Sequence, residues 1–154
     1  MQTVNIVYGT VYGAAQFTAE TINTAIADLG YTARLLHPVD LASFTPPQDE
    51  LLIIVSSTTG QGDVPDDILP WFSQLQSQAP YSPKLRFSIV GLGDSSYENF
   101  CGAADQLEEL FIELGAQALT ETLKIDACET MEPEQEASQW ISVWHGAAQS
   151  LDAA

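Results

Sequence analysis

The feature that most constrains this chain is an alternation of two apolar periods along its whole length. Five runs read as strands, at 3–8, 31–36, 51–56, 85–92 and 118–125. Four stretches repeat apolar residues at the i, i+3, i+4, i+7 spacing of a helix: Ile22/Ala25/Ile26/Leu29, Ile68/Trp71/Phe72/Leu75, Leu107/Leu110/Phe111/Leu114 and Ala137/Trp140/Ile141/Trp144. The run LLIIV at 51–55 has no polar alternate, the mark of a strand covered on both faces. An order close to βαββαβαβα therefore predicts an α/β fold, an open doubly wound parallel sheet with helices on both faces. The stretch HPVDLASFTPPQDE at 37–50 is expected to be a loop or short helical turn, because its prolines oppose a long helix. Trp71, Trp140 and Trp144 fall on the apolar stripes and are assigned to the core.

With 154 residues and no repeat, low-complexity tract or linker, a single domain over 1–154 is expected. The net charge is -17, from 21 acidic residues against the four basic ones Arg34, Lys84, Arg86 and Lys124. The 45% hydrophobic content separates this acidity from that of a disordered tail. Such a surface repels nucleic acid and anionic membranes and attracts basic partners; plain solubility is the alternative meaning of the charge. The run MQTVNIVYG carries no basic leader, and no apolar run approaches ~20 residues, so a cytoplasmic protein that neither spans nor binds a membrane is expected. Cys101 and Cys128 lack metal-ligand spacing and are expected as free thiols. His37 and His145 have no ligand partner at metal spacing and are expected in packing or at the surface.

In a sheet of this kind ligands bind beyond the carboxyl ends of the strands. The segments there are GTVYGAA after the first strand, SSTTGQGDVPDD after the third and GLGDSSYENFCGAAD after the fourth. In the first, the Thr10 hydroxyl and the backbone N–H groups from Val11 to Ala15 meet the start of a helix, where an anion is favoured without any lysine or arginine. Ala14 and Ala15 leave room for a phosphate; a merely tight turn is the competing account. The Gly-Lys-Ser/Thr of a nucleoside triphosphate loop is absent, and GLGDSS lacks the third glycine of a dinucleotide fingerprint. Tyr97 in the third segment either stacks on a flat heterocycle or packs at a helix entry. Together the segments suit a ligand with a phosphate at one end and an aromatic ring at the other.

Three groups in this order resemble the flavin mononucleotide (FMN) loops of flavodoxins: Thr10, Val11, Tyr12, Gly13, Ala14 and Ala15 in TVYGAA; Ser57, Thr58, Thr59 and Gly60 in STTGQGDVPD; and Leu92, Gly93, Asp94, Tyr97, Asn99, Phe100 and Cys101 in GLGDSSYENFC. The likeness is to the short-chain stand-alone flavodoxins of the MioC type and to the FMN domains of diflavin reductases, and it covers nearly the whole chain. It implies a five-stranded parallel sheet of order 2-1-3-4-5 with FMN at its switch point. It also implies a monomeric electron carrier, not an enzyme. Such a carrier shuttles low-potential electrons, through the flavin semiquinone and hydroquinone, from a nicotinamide-dependent reductase to acceptor enzymes. The resemblance places a peptide that turns its carbonyl toward the flavin N5 at Gly60-Gln61. Two positions depart from the family pattern: Tyr12 stands where a second hydroxyl donor to the phosphate is common, and Thr59 where an aromatic often covers one flavin face. Weaker binding and partial isolation as apoprotein are expected from them.

Asp63, Asp66, Asp94 and Glu98 fall in the loops of this presumed site, and Lys84 and Arg86 at the other end of the fourth strand. A dipole with its negative pole at the flavin would present that edge to basic-surfaced redox partners, unless the acids are simply scattered. A phosphorylation receiver domain of the same topology is excluded, since the ends of the first and third strands carry Tyr8-Gly9-Thr10 and Ser56-Ser57-Thr58 in place of its acids. Two other functions stay open beside the carrier: an FMN-dependent reductase of small quinones or nitro compounds, and a cofactor-free interaction module.

Overall fold

The computed structural model describes residues 2–59, 62–96 and 98–152. The strands are β1 (Thr3–Gly9), β2 (Thr32–Leu36), β3 (Leu51–Ser57), β4 (Arg86–Gly93), β5 (Gln117–Ala118) and β6 (Leu123–Asp126). The helices are α1 (Ala14–Asp28), α2 (Leu69–Gln78), α3 (Gly102–Glu113) and α4 (Pro133–Asp152), with one 3-10 turn at Pro38–Leu41. Every strand pairing is parallel, in the order β2-β1-β3-β4-β5 with β6 also on β4.

β3 lies between β1 and β4 and is buried from Leu51 to Ser56, which is why its sequence carries no polar alternate. Its side chains alternate between two cores. Leu52 and Ile54 join Trp71, Leu75, Leu107 and Phe111 of α2 and α3 on one face. Leu51, Ile53 and Val55 join Ile22 and Ile26 of α1 and Trp140 and Trp144 of α4 on the other. The stripe expected for α1 stops one residue early: Leu29 caps the helix and is 42% exposed.

The single last strand expected over 118–125 is two. Phe87 pairs with Ala118 and Val90 with Leu123, so three steps along β4 are matched by five along its partner (90 − 87 against 123 − 118). Two extra residues make a bulge. The threonines within it bond through their side chains, Thr120 Oγ1 to Ser88 Oγ at 3.0 Å and Thr122 Oγ1 to Glu108 Oε1 at 2.8 Å. The sheet thus has five strand positions, as expected, with the fifth interrupted.

Candidate functional site

The loop after β1 is closed on itself. Gly13 donates its N–H to Thr10 Oγ1 at 2.8 Å and adopts a left-handed φ of 94°. A side chain there would meet no atom within 4 Å, so the backbone angle and not crowding calls for glycine. α1 begins at once at Ala14 without a side-chain cap. Its first intrahelical bond runs from the Phe17 N–H to the Gly13 carbonyl at 3.0 Å, which leaves the N–H groups of Ala14, Ala15 and Gln16 outside the helix ladder. A phosphate fits this set of donors.

The loop after β3 is a turn closed by Thr59, whose N–H donates to the Asp63 carbonyl at 3.0 Å. It rests on α3: Gln106 Nε2 donates to the Gly62 carbonyl at 2.7 Å, and the Ala103 N–H to Thr58 Oγ1 at 3.3 Å. It also reaches back to the first loop, where the Thr10 N–H donates to both Asp67 carboxylate oxygens, at 3.2 and 3.0 Å.

The loop after β4 is tied to the one after β6. Asp94 Oδ1 accepts from the Cys128 thiol at 3.0 Å and the Ser96 N–H at 2.8 Å. Asp126 Oδ1 accepts from the Ser95 N–H at 3.0 Å and the Cys128 N–H at 2.9 Å. These bonds hold both carboxyls below the usual carboxylate range, the Cys128 thiol leading for Asp94 and Ser95 for Asp126. Asp94, Asp126 and Cys128 offer ligand atoms within 4.8 Å of one another, a grouping the sequence spacing did not foresee, and they are already hydrogen-bonded among themselves.

Between these loops, at the carboxyl edge of the sheet, lies a cleft of 720 Å³. The first loop contributes Val11, Tyr12 and Ala14; the second Ser57, Thr58 and Thr59; the third Leu92, Gly93, Asp94, Asn99 and Cys101. Tyr12 stands 98% exposed at its rim, and Met131 95% exposed. Thr10 and Gly13 lie in the same loop without lining the cleft, their polar groups joined to each other. Among the expected contact residues, Ala15 buries its methyl among the α1 and α4 core residues while its N–H stays at the helix start, and Phe100 packs against the α2 and α3 core. Gly60 and Tyr97 lie outside the described residues.

A fourth wall was not singled out from the sequence: Ile125, Ala127, Thr130, Met131 and Pro133, after β6. The rule that ligands sit beyond the strand ends applies to the last strand as much as to the others. Cys101 starts α3 in a left-handed conformation, φ 53°, fully buried. Burial pushes its thiol up to about 11, which makes it a packing group and not a nucleophile. Neither histidine enters the cleft: His37 bonds the Tyr8 hydroxyl and His145 the Tyr31 hydroxyl. Lys124, on β6, pairs with Asp105 at 2.8 Å.

Residues 6–140 match the family profile described as Flavodoxin. The chain is 39% identical to Flavodoxin YqcA of Escherichia coli K12 over 144 residues, 94% of this chain and 97% of that one. It is 34% identical to Protein MioC of the same organism, again over 94% of this chain and 97% of the relative. A solved structure of a cysteine-to-serine mutant of a flavodoxin from Pseudomonas aeruginosa superposes with a TM-score of 0.85 at 35% identity, over 95% of this chain and 98% of that one. The parallel order 2-1-3-4-5, the uncapped helix start beside the cleft and these likenesses lead to one conclusion: the chain belongs to the flavodoxin family and takes FMN as its cofactor.

Proposed function

We propose that this flavodoxin is a low-potential electron carrier. It would take electrons from a nicotinamide-dependent flavin reductase and pass them singly to acceptor enzymes with basic surfaces, as a cytoplasmic monomer. The observation that carries the proposal is the cleft, with an uncapped helix start at one end, apolar walls from Leu92, Ile125 and Met131, and the Asp94 carboxylate in its lining. Bound FMN supplies the redox chemistry. The Thr10 hydroxyl and the N–H groups at the start of α1 would hold the phosphate, and Ser57, Thr58, Thr59, Asn99 and the backbone at Gly93 would border the ring.

The acids act by charge. Asp94 and Asp126, kept ionised by their hydrogen bonds, disfavour further negative charge in the cleft and so lower the potential at which electrons enter it. Lys84 and Arg86 sit at the amino end of β4, while Asp94 follows its carboxyl end. That separation supports docking of a basic partner at the cleft edge. No helix among the described residues is long and apolar enough to cross a membrane.

The test is reduction of the FMN-loaded protein under anaerobic conditions. NADPH alone should leave the yellow colour unchanged, and adding a flavodoxin reductase should bleach it at a rate that falls as salt rises. Bleaching by NADPH alone would instead make the protein a reductase in its own right.

A further inference from the structure

We propose that Asp67 is the positioning residue of the phosphate loop, and that the same carboxylate sets how strongly the site prefers a phosphorylated flavin over an unphosphorylated one. The proposal rests on the reading that the phosphate sits at the start of α1.

The geometry is a relay. Both Asp67 oxygens lie within reach of the Thr10 N–H, at 3.2 and 3.0 Å, across 57 residues of sequence. Thr10 in turn accepts the Gly13 N–H at 2.8 Å, and Gly13 is the residue from which α1 starts. The loop after β3 therefore fixes the turn of the loop after β1 through a single side chain. An ionised carboxylate is a strong acceptor for such a bond. The relay also decides which donors remain. The Thr10 and Gly13 N–H groups are spent inside the loop, so an anion must be met by the Thr10 hydroxyl proton and the N–H groups that follow.

Among the described residues, no ion pair neutralises the charge of this carboxylate. The two ion pairs among the described residues are Arg34 with Glu50 and Lys124 with Asp105, and neither involves Asp67. Burial raises its carboxyl above the usual range against the pull of the Thr10, Asp67 and Ile68 N–H groups, and Asp66 adds to the rise. An ionised Asp67 next to a loop that seats a phosphate repels that phosphate. Holding the loop and repelling its ligand are thus separate effects of one residue.

The titratable groups that act on it are Asp66 on its own loop and Tyr8 on β1, and Tyr8 in turn feels Glu20 and Asp40 and bonds His37. A single fixed pH isolates the effect of Asp67 from the second ionisation of the phosphate.

Asp67→Asn keeps an oxygen to accept from Thr10 and removes the charge; Asp67→Ser removes both. Apoprotein of the wild type and of each variant is titrated with FMN and with riboflavin at pH 8, in low and high salt, and its thermal unfolding is recorded without flavin. Asp67→Asn should bind FMN about fivefold or more tightly, riboflavin within about twofold of wild type, with the gain shrinking in high salt. Asp67→Ser should unfold at a lower temperature and bind FMN more weakly than Asp67→Asn, since its loop is no longer held. If FMN and riboflavin shift by the same factor in Asp67→Asn, or FMN binding weakens, the proposal is overturned. A wild type that binds the two flavins equally would instead overturn the placement of the phosphate.

Discussion

Gly91→Ala is the substitution whose effect the packing specifies most closely. Gly91 lies in the middle of the sheet, paired with Ser56 of β3 on one side and Lys124 of β6 on the other. β4 therefore cannot move sideways. A Cβ built there lies 2.6 Å from the Ala104 Cβ of α3 and 3.5 Å from the Cys101 sulfur. Carbon atoms in contact prefer about 3.5–4.0 Å, so α3 must retreat by roughly 1 Å. Overpacking of this size costs about 1–3 kcal/mol. At about 2–4 °C per kcal/mol for a chain of this length, the melting temperature should fall by roughly 4–8 °C for a cost near the middle of that range. The retreat also carries the start of α3, where Asn99 and Cys101 line the cleft, so FMN affinity should drop with stability. Adding Ala104→Gly returns the missing space, at a helix cost of about 0.5–1 kcal/mol. The double variant should therefore be about 1 kcal/mol more stable than Gly91→Ala alone, a coupling readable in urea unfolding. Losses that simply add in the double variant would refute the contact, as would Gly91→Ala unfolding like the wild type.

The two thiols should separate by reactivity: with iodoacetamide at pH 8, exposed Cys128 is alkylated while buried Cys101, pushed up to about 11, is protected until the chain is denatured. Equal rates in the native protein would contradict that burial. Asp94 and Asp126 are lowered from the ordinary value of 3.8, so their bonds stabilise the folded chain fully above that pH and are lost as pH falls through the lowered values. The amide resonances of Ser95, Ser96 and Cys128 should accordingly titrate with midpoints below 3.8, and midpoints above it would remove the bonds. Asp67, raised by burial, acts in the opposite sense: the extra stability that its protonated form adds is present in full below 3.8 and is lost as pH rises through its higher folded value.

The sheet was legible because its signal is local and periodic. The run at 51–55 and the stripes through Trp71, Phe111 and Trp144 each report which faces are covered, and the observed cores contain those residues. The break between β5 and β6 was not legible, because it depends on Thr120 and Thr122 finding Ser88 and Glu108, partners 32 and 14 residues away. The loops around the cleft could be read as polar, glycine-rich segments at strand ends, but not the side on which each residue falls. Phe100 sits within a segment expected to bind and packs against a core, and Ala15 turns its methyl into the other core while its N–H stays at the helix start. Nothing in DVPDD distinguishes Asp67 from its neighbouring acids, and the approach of the loop after β1 gives it a partner. The wall around Met131 escaped because nothing in DACETMEP resembles a binding loop; it lines the cleft through the position of β6.

Anchoring of the flavin by its phosphate at the start of α1 can be read from a parallel titration of apoprotein with FMN, FAD and riboflavin. One FMN should bind per chain, with riboflavin and FAD weaker by about tenfold or more, because either loses the hydrogen bonds that a terminal phosphate makes to the loop. Riboflavin binding as tightly as FMN would contradict it.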